Sequence, residues 1–254
     1  INWLQLTDPE NPDFFEQAST LVDMEAMMDY YAAQLYFANT DWPENNFRMW
    51  RMENDTSLWR YYFYDCDACM MCLDCNNLAE YTHDNGQWHQ YLQHATFVFR
   101  RMMQNAQFSE MFRTRLVFHL THTFGAQRVI DELEQLKAVY APLVSEHAYR
   151  WNTPTDLVMW LNNVERLESF ALQRPMAMRS HLVDLLGVPL RVYPNPSHGD
   201  VYIETLWGSG TAQITIADVA GKTVYHSLVN CSEQSRFSPS VEFAPGAYVV
   251  SVLA

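Results

Sequence analysis

Positive charge is what this sequence has least of. Sixteen Lys and Arg stand against 30 Asp and Glu, for a formal net charge of −14 at pH 7. Nucleic acid is bound through clustered Lys and Arg on backbone phosphates, so that class of partner is argued against. An anionic membrane surface is disfavoured for the same reason. Lysine is absent before Lys137, and no glycine-rich turn followed by a strand lysine precedes Asp41. A phosphate cradle of that kind is therefore excluded from this stretch. No apolar run approaches the roughly 20 residues needed to span a bilayer. The opening, INWLQLTDPENPDFF, has neither a basic n-region nor an apolar h-region, so no signal peptide is visible. The chain begins on Ile1 in mid-pattern and reads as the C-terminal piece of something longer. Cysteine is sparse and odd in number: four of five crowd into Cys66–Cys75 and Cys231 stands alone, which gives no clean disulfide framework.

What is present suits a packed protein. Hydrophobic content of 48% and aromatic content of 14% in 254 residues allow one large or two modest domains with a sizeable core. The most informative stretch is 39–67. Asp41, Asn45 and Asn46 lie near its start, and Asp65 and Asp67 close it after the aromatic run Trp59–Tyr64. That run is long enough for a buried strand. Carboxylates at a strand's end, facing a loop with another Asp and an Asn, suit a hard cation such as Mg²⁺, which takes one or two protein carboxylates and keeps waters. The alternative is that Asp and Asn in a Pro-containing loop are turn formers and helix caps.

In protein kinases a catalytic-loop Asp accepts the substrate hydroxyl's proton, an Asn five positions later holds Mg²⁺, and a later Asp binds metal as well. Asp41 and Asn46 stand five apart, with Asp65 on the next strand-like run. The whole segment resembles the CotH family of atypical, spore-coat-type kinases. The resembling residues are Tyr30-Tyr31, Asn39-Thr40-Asp41-Trp42-Pro43, Asn45-Asn46, Trp59-Arg60 and Tyr64-Asp65-x-Asp67-Ala68-Cys69. The resemblance implies Asp41 as the catalytic acid, Asn46 as a metal ligand and Asp65 as the metal-binding Asp, with Asp67 the alternative. It also implies Mg²⁺ and ATP as cofactor and co-substrate, and a hydroxyl of an extracellular protein as acceptor. A nucleotide-gripping lobe would have to lie before Ile1 or be missing, so this stretch alone is expected to be inactive.

Cys66, Cys69, Cys72 and Cys75 recur at a constant spacing of three. An iron–sulfur run would want a longer last gap and a Pro, and four thiols this close make a cramped zinc tetrahedron. Disulfides within the run would need a turn. A cluster or zinc is the less favoured reading, since the resembling segment carries Asp67-Ala68-Cys69 without metal. His83, His89 and His94, with Asp84, are spaced by six and five, off any single helical face, and read as solvated loop histidines.

Helical periodicity covers much of the rest. Met24, Met27, Met28, Tyr31, Leu35 and Ala38 form a core-facing stripe over about 22–38, with Asp23 as its cap. A long helical stretch starts at Phe97. Gly125 interrupts it before a helix from Ala126 to about Tyr140, with Val129, Leu133 and Leu136 inward. A further helix carries His147–Trp151, and Thr153–Asp156 starts the next, over Leu157–Phe170. His147–Trp151, Phe170–Pro175 and His181-Leu182 resemble the CotH C-terminal helical part. Arg150 and Arg174 are candidates for phosphate contacts or for salt bridges to helix acids.

Near Gly187 the pattern changes to short alternating runs at 200–205, 212–217, 223–226 and 248–252, separated by Gly and Pro turns. Such runs read as a small antiparallel sandwich. With Tyr193-Pro194-Asn195-Pro196, Gly199, Asp218, Gly221-Lys222 and Pro245-Gly246-x-Tyr248, this tail resembles the type IX secretion sorting domain of Bacteroidetes-type bacteria. That implies the type IX machinery as partner and a secreted or surface location. The expected architecture is thus multidomain: a mainly α-helical kinase-like C-lobe with a short strand pair over 1–188, then a small all-β immunoglobulin-like sandwich over 189–254.

Overall fold

The structure is a computed structural model that describes residues 2–54, 56–82, 95–186, 190–193, 200–205, 211–230, 236–241 and 243–253. The chain divides into two compact units, Ile1–Pro175 and Met176–Ala254. His83, Asp84, His89, His94 and Cys231 lie outside the described residues, as do the Pro194–Gly199 and Gly208–Gly210 turns.

The first unit is built round α3 (Met24–Phe37). Asp23 starts it by accepting the Ala26 N–H at 3.1 Å, satisfying one of the donors a helix N-terminus leaves open. The stripe of threes and fours predicts one buried face. The helix instead buries Tyr30, Ala32, Gln34 and Tyr36 as well as Met27, Met28, Tyr31 and Leu35. A helix apolar nearly all round belongs at the centre of a core, and α3 sits there. Around it lie α1 (Asn2–Leu6), α2 (Phe14–Ser19), α4 (Asn77–Thr82), α5 (Phe97–Met103) and α6 (Ala106–Thr121). The long helix expected from Phe97 is broken at Asn105. Its side chain caps α6 by accepting the Phe108 N–H at 3.0 Å, and donates to the Pro9 carbonyl at 2.8 Å.

Stacked and edge-on rings fill the contact between these helices. Tyr31 stacks on Phe99 at 3.8 Å, Phe99 meets Phe112 edge-on at 5.0 Å, and Tyr36 stacks on Phe124 at 4.5 Å. On the flank of α3 toward α6, Asp29 takes two guanidinium bonds from Arg115, at 2.6 and 2.7 Å, and one from His119 at 2.7 Å. Burial pushes the Asp29 carboxyl up, but those donors outweigh it and hold the group below the ordinary aspartate range.

The aromatic run is not a buried strand. Its strand is only β2 (Arg60–Tyr61), antiparallel to β1 (Met49–Trp50), with Trp59 in a single parallel bridge to Val22, and only Tyr61 of the run is buried. Trp59, Tyr62 and Phe63 are exposed, because the two-stranded ribbon has one side against α3 and, among the described residues, no second layer on the other. The ribbon is fixed to the start of α3 by Trp59 N–H to Leu21 carbonyl (2.8 Å), Asp23 N–H to Trp59 carbonyl (3.0 Å) and Arg60 to Asp23 (2.8 Å).

Beyond Gly125, α7 (Ala126–Tyr140) has the expected bounds but not the expected inner face. It buries no residue, and Leu136 is 52% exposed. A 3₁₀ turn (Ala141–Leu143) leads to α8 (Val144–Trp151), and α9 (Leu157–Leu186) then runs well past Phe170, through Pro175.

The second unit carries β3 (Leu190–Tyr193), β4 (Tyr202–Thr205), β5 (Thr211–Asp218), β6 (Thr223–Asn230), β7 (Arg236–Phe237) and β8 (Tyr248–Leu253). They form two antiparallel sheets, β3-β4-β7 and β6-β5-β8. Ile203 and Phe237 from one sheet share a core with Ala212, Ile214 and Ile216 from the other. The alternation along β5 sends those three inward, as a period of two requires. At the β5–β6 turn Asp218 accepts the Ala220 and Lys222 N–H groups at 3.0 and 2.9 Å, and Gly221 sits at φ +84°.

Phe112 is fully buried between Phe99 and Phe108. Phe112→Ala should therefore cost about 3–5 kcal/mol of stability, read from urea unfolding of the full chain. A loss no larger than that of a surface substitution would mean that this ring is not in the core.

Candidate functional site

The site forms where α3 ends. Ala38 takes the left-handed conformation at φ 48°, ψ 50° and turns the chain away from the axis. The last carbonyls of a helix have no intrahelical donor, and here they are buried. Arg174 of α9, itself fully buried, bonds two of them: Nη2 to the Leu35 carbonyl at 2.7 Å, which also accepts the Ala38 N–H, and Nε to the Tyr36 carbonyl at 3.0 Å. Its Nη1 bonds the Leu73 carbonyl, and that of Cys75 at 3.0 Å. Burial pulls the guanidinium down to about 10, so it stays charged at neutral pH beside the negative end of the helix dipole. The phosphate contact and the acid salt bridge considered for Arg174 both give way to this role, since its donors face backbone carbonyls within the core. Arg150 is exposed, with its guanidinium 5.0 Å from the Trp151 ring.

The strap over 65–75 lies against the same helix end. Met70 N–H bonds the Phe37 carbonyl at 2.7 Å, and the Thr40 N–H and hydroxyl both bond the Ala68 carbonyl, at 3.2 and 3.1 Å. The cysteines of the strap are joined as Cys66–Cys69 and Cys72–Cys75. A turn with the Cys69 N–H on the Cys66 carbonyl (3.3 Å) makes the first pairing possible. With every sulfur of the run bonded, none is a thiolate ligand in this state, and the iron–sulfur and zinc readings find no support.

On the helix side of the strap, Trp42 is buried. Its indole N–H bonds the Tyr30 hydroxyl at 2.6 Å, and its carbonyl accepts from Tyr81 at 3.0 Å. This anchor holds Asp41 next door. Asn46 Nδ2 donates to Asp41 Oδ2 at 3.0 Å and Asn45 Nδ2 to Oδ1 at 2.7 Å. Asn46 sits at φ 57°, a conformation Asn tolerates better than most residues. With its Nδ2 on Asp41, the Asn46 amide oxygen faces elsewhere. Across the strap, loss of hydration, the Asp67 carboxylate with its hydrogen bond, and the Asp41 carboxylate together push the Asp65 carboxyl up from the ordinary aspartate value. Asp41 is thus within electrostatic reach of Asp65, although 24 positions separate them in sequence.

Among the described residues, no group of three or more His, Cys, Asp or Glu is arranged to hold a metal ion. The fit to Mg²⁺ rests on a smaller set. Asp65 and Asp67 are exposed carboxylates whose mutual repulsion a cation would relieve, and Asn46 offers a neutral oxygen. One or two carboxylates with room for waters and phosphate oxygens is what that ion takes.

The residues singled out by spacing omit the ones that hold the site together. Asn39 is fully buried, accepts the Asp41 N–H on Oδ1 at 3.2 Å and donates from Nδ2 to the Asp65 carbonyl at 3.3 Å. Nothing in the sequence marks it beyond its place in the loop.

A sequence model described as CotH kinase protein matches residues 1–178. The chain belongs to the CotH kinase protein family. A second, described as a secretion system C-terminal sorting domain, matches residues 191–254. No curated protein and no solved structure matches the chain. This is a CotH-family protein with a sorting tail, which implies secretion or attachment at the cell surface and contact with the secretion machinery. No helix among the described residues is long and apolar enough to cross a membrane.

Asp65 gives a signed test. A carboxyl raised in the folded state is destabilising once pH exceeds its ordinary range, because the fold disfavours its charged form. Asp65→Asn should raise the melting temperature at pH 7, with a gain that shrinks as pH falls through the ordinary aspartate range. A gain independent of pH, or a loss at pH 7, would mean that the acids do not repel.

Proposed function

We propose that the CotH-family part transfers the γ-phosphoryl group of ATP to a hydroxyl of an extracellular protein. Asp41 orients the incoming hydroxyl and accepts its proton, Asn46 and Asp65 hold Mg²⁺, and Asp67 is the alternative to Asp65. The observation that supports this reading is the Asn39 amide, which joins the Asp41 N–H (3.2 Å) to the Asp65 carbonyl (3.3 Å), next to the hydrogen bond between Asn46 and Asp41. When bound, the ion would neutralise charge on the phosphate oxygens. The residues of the chain contribute position: Trp42 anchors the Asp41 turn, and Asn45 and Asn46 fix the plane of its carboxylate. The kinase-like C-lobe over 1–188 and the immunoglobulin-like sandwich over 189–254 belong to this proposal, with the tail acting as an address for the type IX machinery.

A second reading is a non-catalytic surface protein that keeps the fold for binding. It is favoured by one observation: both Asp41 carboxylate oxygens already accept amide donors. Phosphate transfer from labelled ATP by the full-length protein separates the two. Asp41→Ala should lower that transfer by about 10²–10⁴-fold, the range for a lost general base. Unchanged transfer would remove Asp41 from the reaction, and none in the native protein would favour the binding role. Deleting residues 190–254 should abolish surface display, and normal display of the truncated protein would refute the sorting role.

A further inference from the structure

We infer that Asn39 is the positioning residue of this site, holding the Asp41 turn and the Asp65 backbone at the separation a shared cation needs. The inference rests on the Mg²⁺ reading above.

Two parts of the chain supply the oxygens: the turn after α3, and the strap. Their acids repel one another, so something must hold them together. The Asn39 side chain touches both, with Oδ1 on the Asp41 N–H and Nδ2 on the Asp65 carbonyl. Those partners fix the roles of the amide. A peptide N–H can only donate and a carbonyl can only accept, so the residue needs one acceptor and one donor at the tip of a short side chain. Asp lacks the donor, and Ala has neither.

Thr40 supplies the internal comparison. It also joins the turn to the strap, but through the Ala68 carbonyl, and its backbone N–H keeps that link when the hydroxyl is removed. A merely structural role for Asn39 would lower stability and leave the affinity of the folded protein alone. A positioning role lowers the affinity of molecules that are still folded. Residues that orient metal ligands usually cost about 10–100-fold in metal affinity when changed.

The probe is Mn²⁺ in place of Mg²⁺, titrated against the full chain and followed by the electron spin resonance of the free ion. The native protein should bind Mn²⁺, and Asp65→Asn should abolish binding. Binding that is absent, or indifferent to Asp65→Asn and to Asp67→Asn alike, would overturn the Mg²⁺ reading itself. If native binding depends on Asp65, Asn39→Ala should weaken it about 10–100-fold with the near-ultraviolet circular dichroism of the fold retained. Thr40→Val should leave it unchanged. Native-like affinity in folded Asn39→Ala would overturn the positioning role while leaving the Mg²⁺ reading standing. Should Asn39→Ala not fold, hydrogen exchange in the native protein decides. Saturating Mg²⁺ should slow exchange of the Asp41 amide, which Asn39 holds, and exchange indifferent to Mg²⁺ would overturn the inference.

Discussion

The first unit depends on how the C-terminal end of α3 finds partners in a place water does not reach. An unpaired buried carbonyl costs about 1–3 kcal/mol. Arg174 answers for four, those of Leu35, Tyr36, Leu73 and Cys75. Because two belong to the helix and two to the strap, one guanidinium joins elements whose sequence positions lie 99–139 residues from its own. Lysine could not do this, since it offers a point charge in place of a planar fork. The turn that carries Asp41 and the strap that carries Asp65 meet beside that junction, through the Thr40 N–H and hydroxyl on the Ala68 carbonyl.

The strap combines this anchoring with covalent restraint. Two disulfides, each closing a loop of sequence separation 3, stiffen a segment with no regular secondary structure. Disulfides persist in oxidising surroundings, which agrees with the export implied by the sorting tail. Rigid support then carries two exposed acids that repel each other, Asp65 and Asp67. A cluster of like charge held in place is costly to stability, and such costs gather at functional sites.

Much of this was legible beforehand, for local reasons. Asp23 is followed by a helix and caps it, Ala126–Tyr140 is helical, and β5 alternates, because capping and periodicity depend on near neighbours. The misreadings are tertiary. Trp59–Tyr64 has the composition of a strand, but whether such a run is buried depends on a second layer, which the described residues do not provide. Leu136 has the spacing of an inner face, yet among the described residues it is left 52% exposed. The constant spacing of the cysteines suits metal, cluster or disulfide alike, and spacing alone does not show the pairing as Cys66–Cys69 and Cys72–Cys75. Spacing and the CotH resemblance single out Asp41, Asn46 and Asp65 as candidates, and the structure hydrogen-bonds two of them, Asn46 to Asp41. Asn39 and Arg174 could not be given their roles, because what each bonds is mostly backbone, and a carbonyl leaves no mark in a sequence.

The central claim is that the Arg174 junction holds the strap against the end of α3. Hydrogen exchange of Arg174→Met, compared with the native chain, tests it most directly. The account predicts that the Thr40 and Met70 amides, which bond Ala68 and Phe37 across that contact, lose protection while the amides of α6 keep theirs. Undiminished protection at Thr40 and Met70 in the folded variant would contradict it.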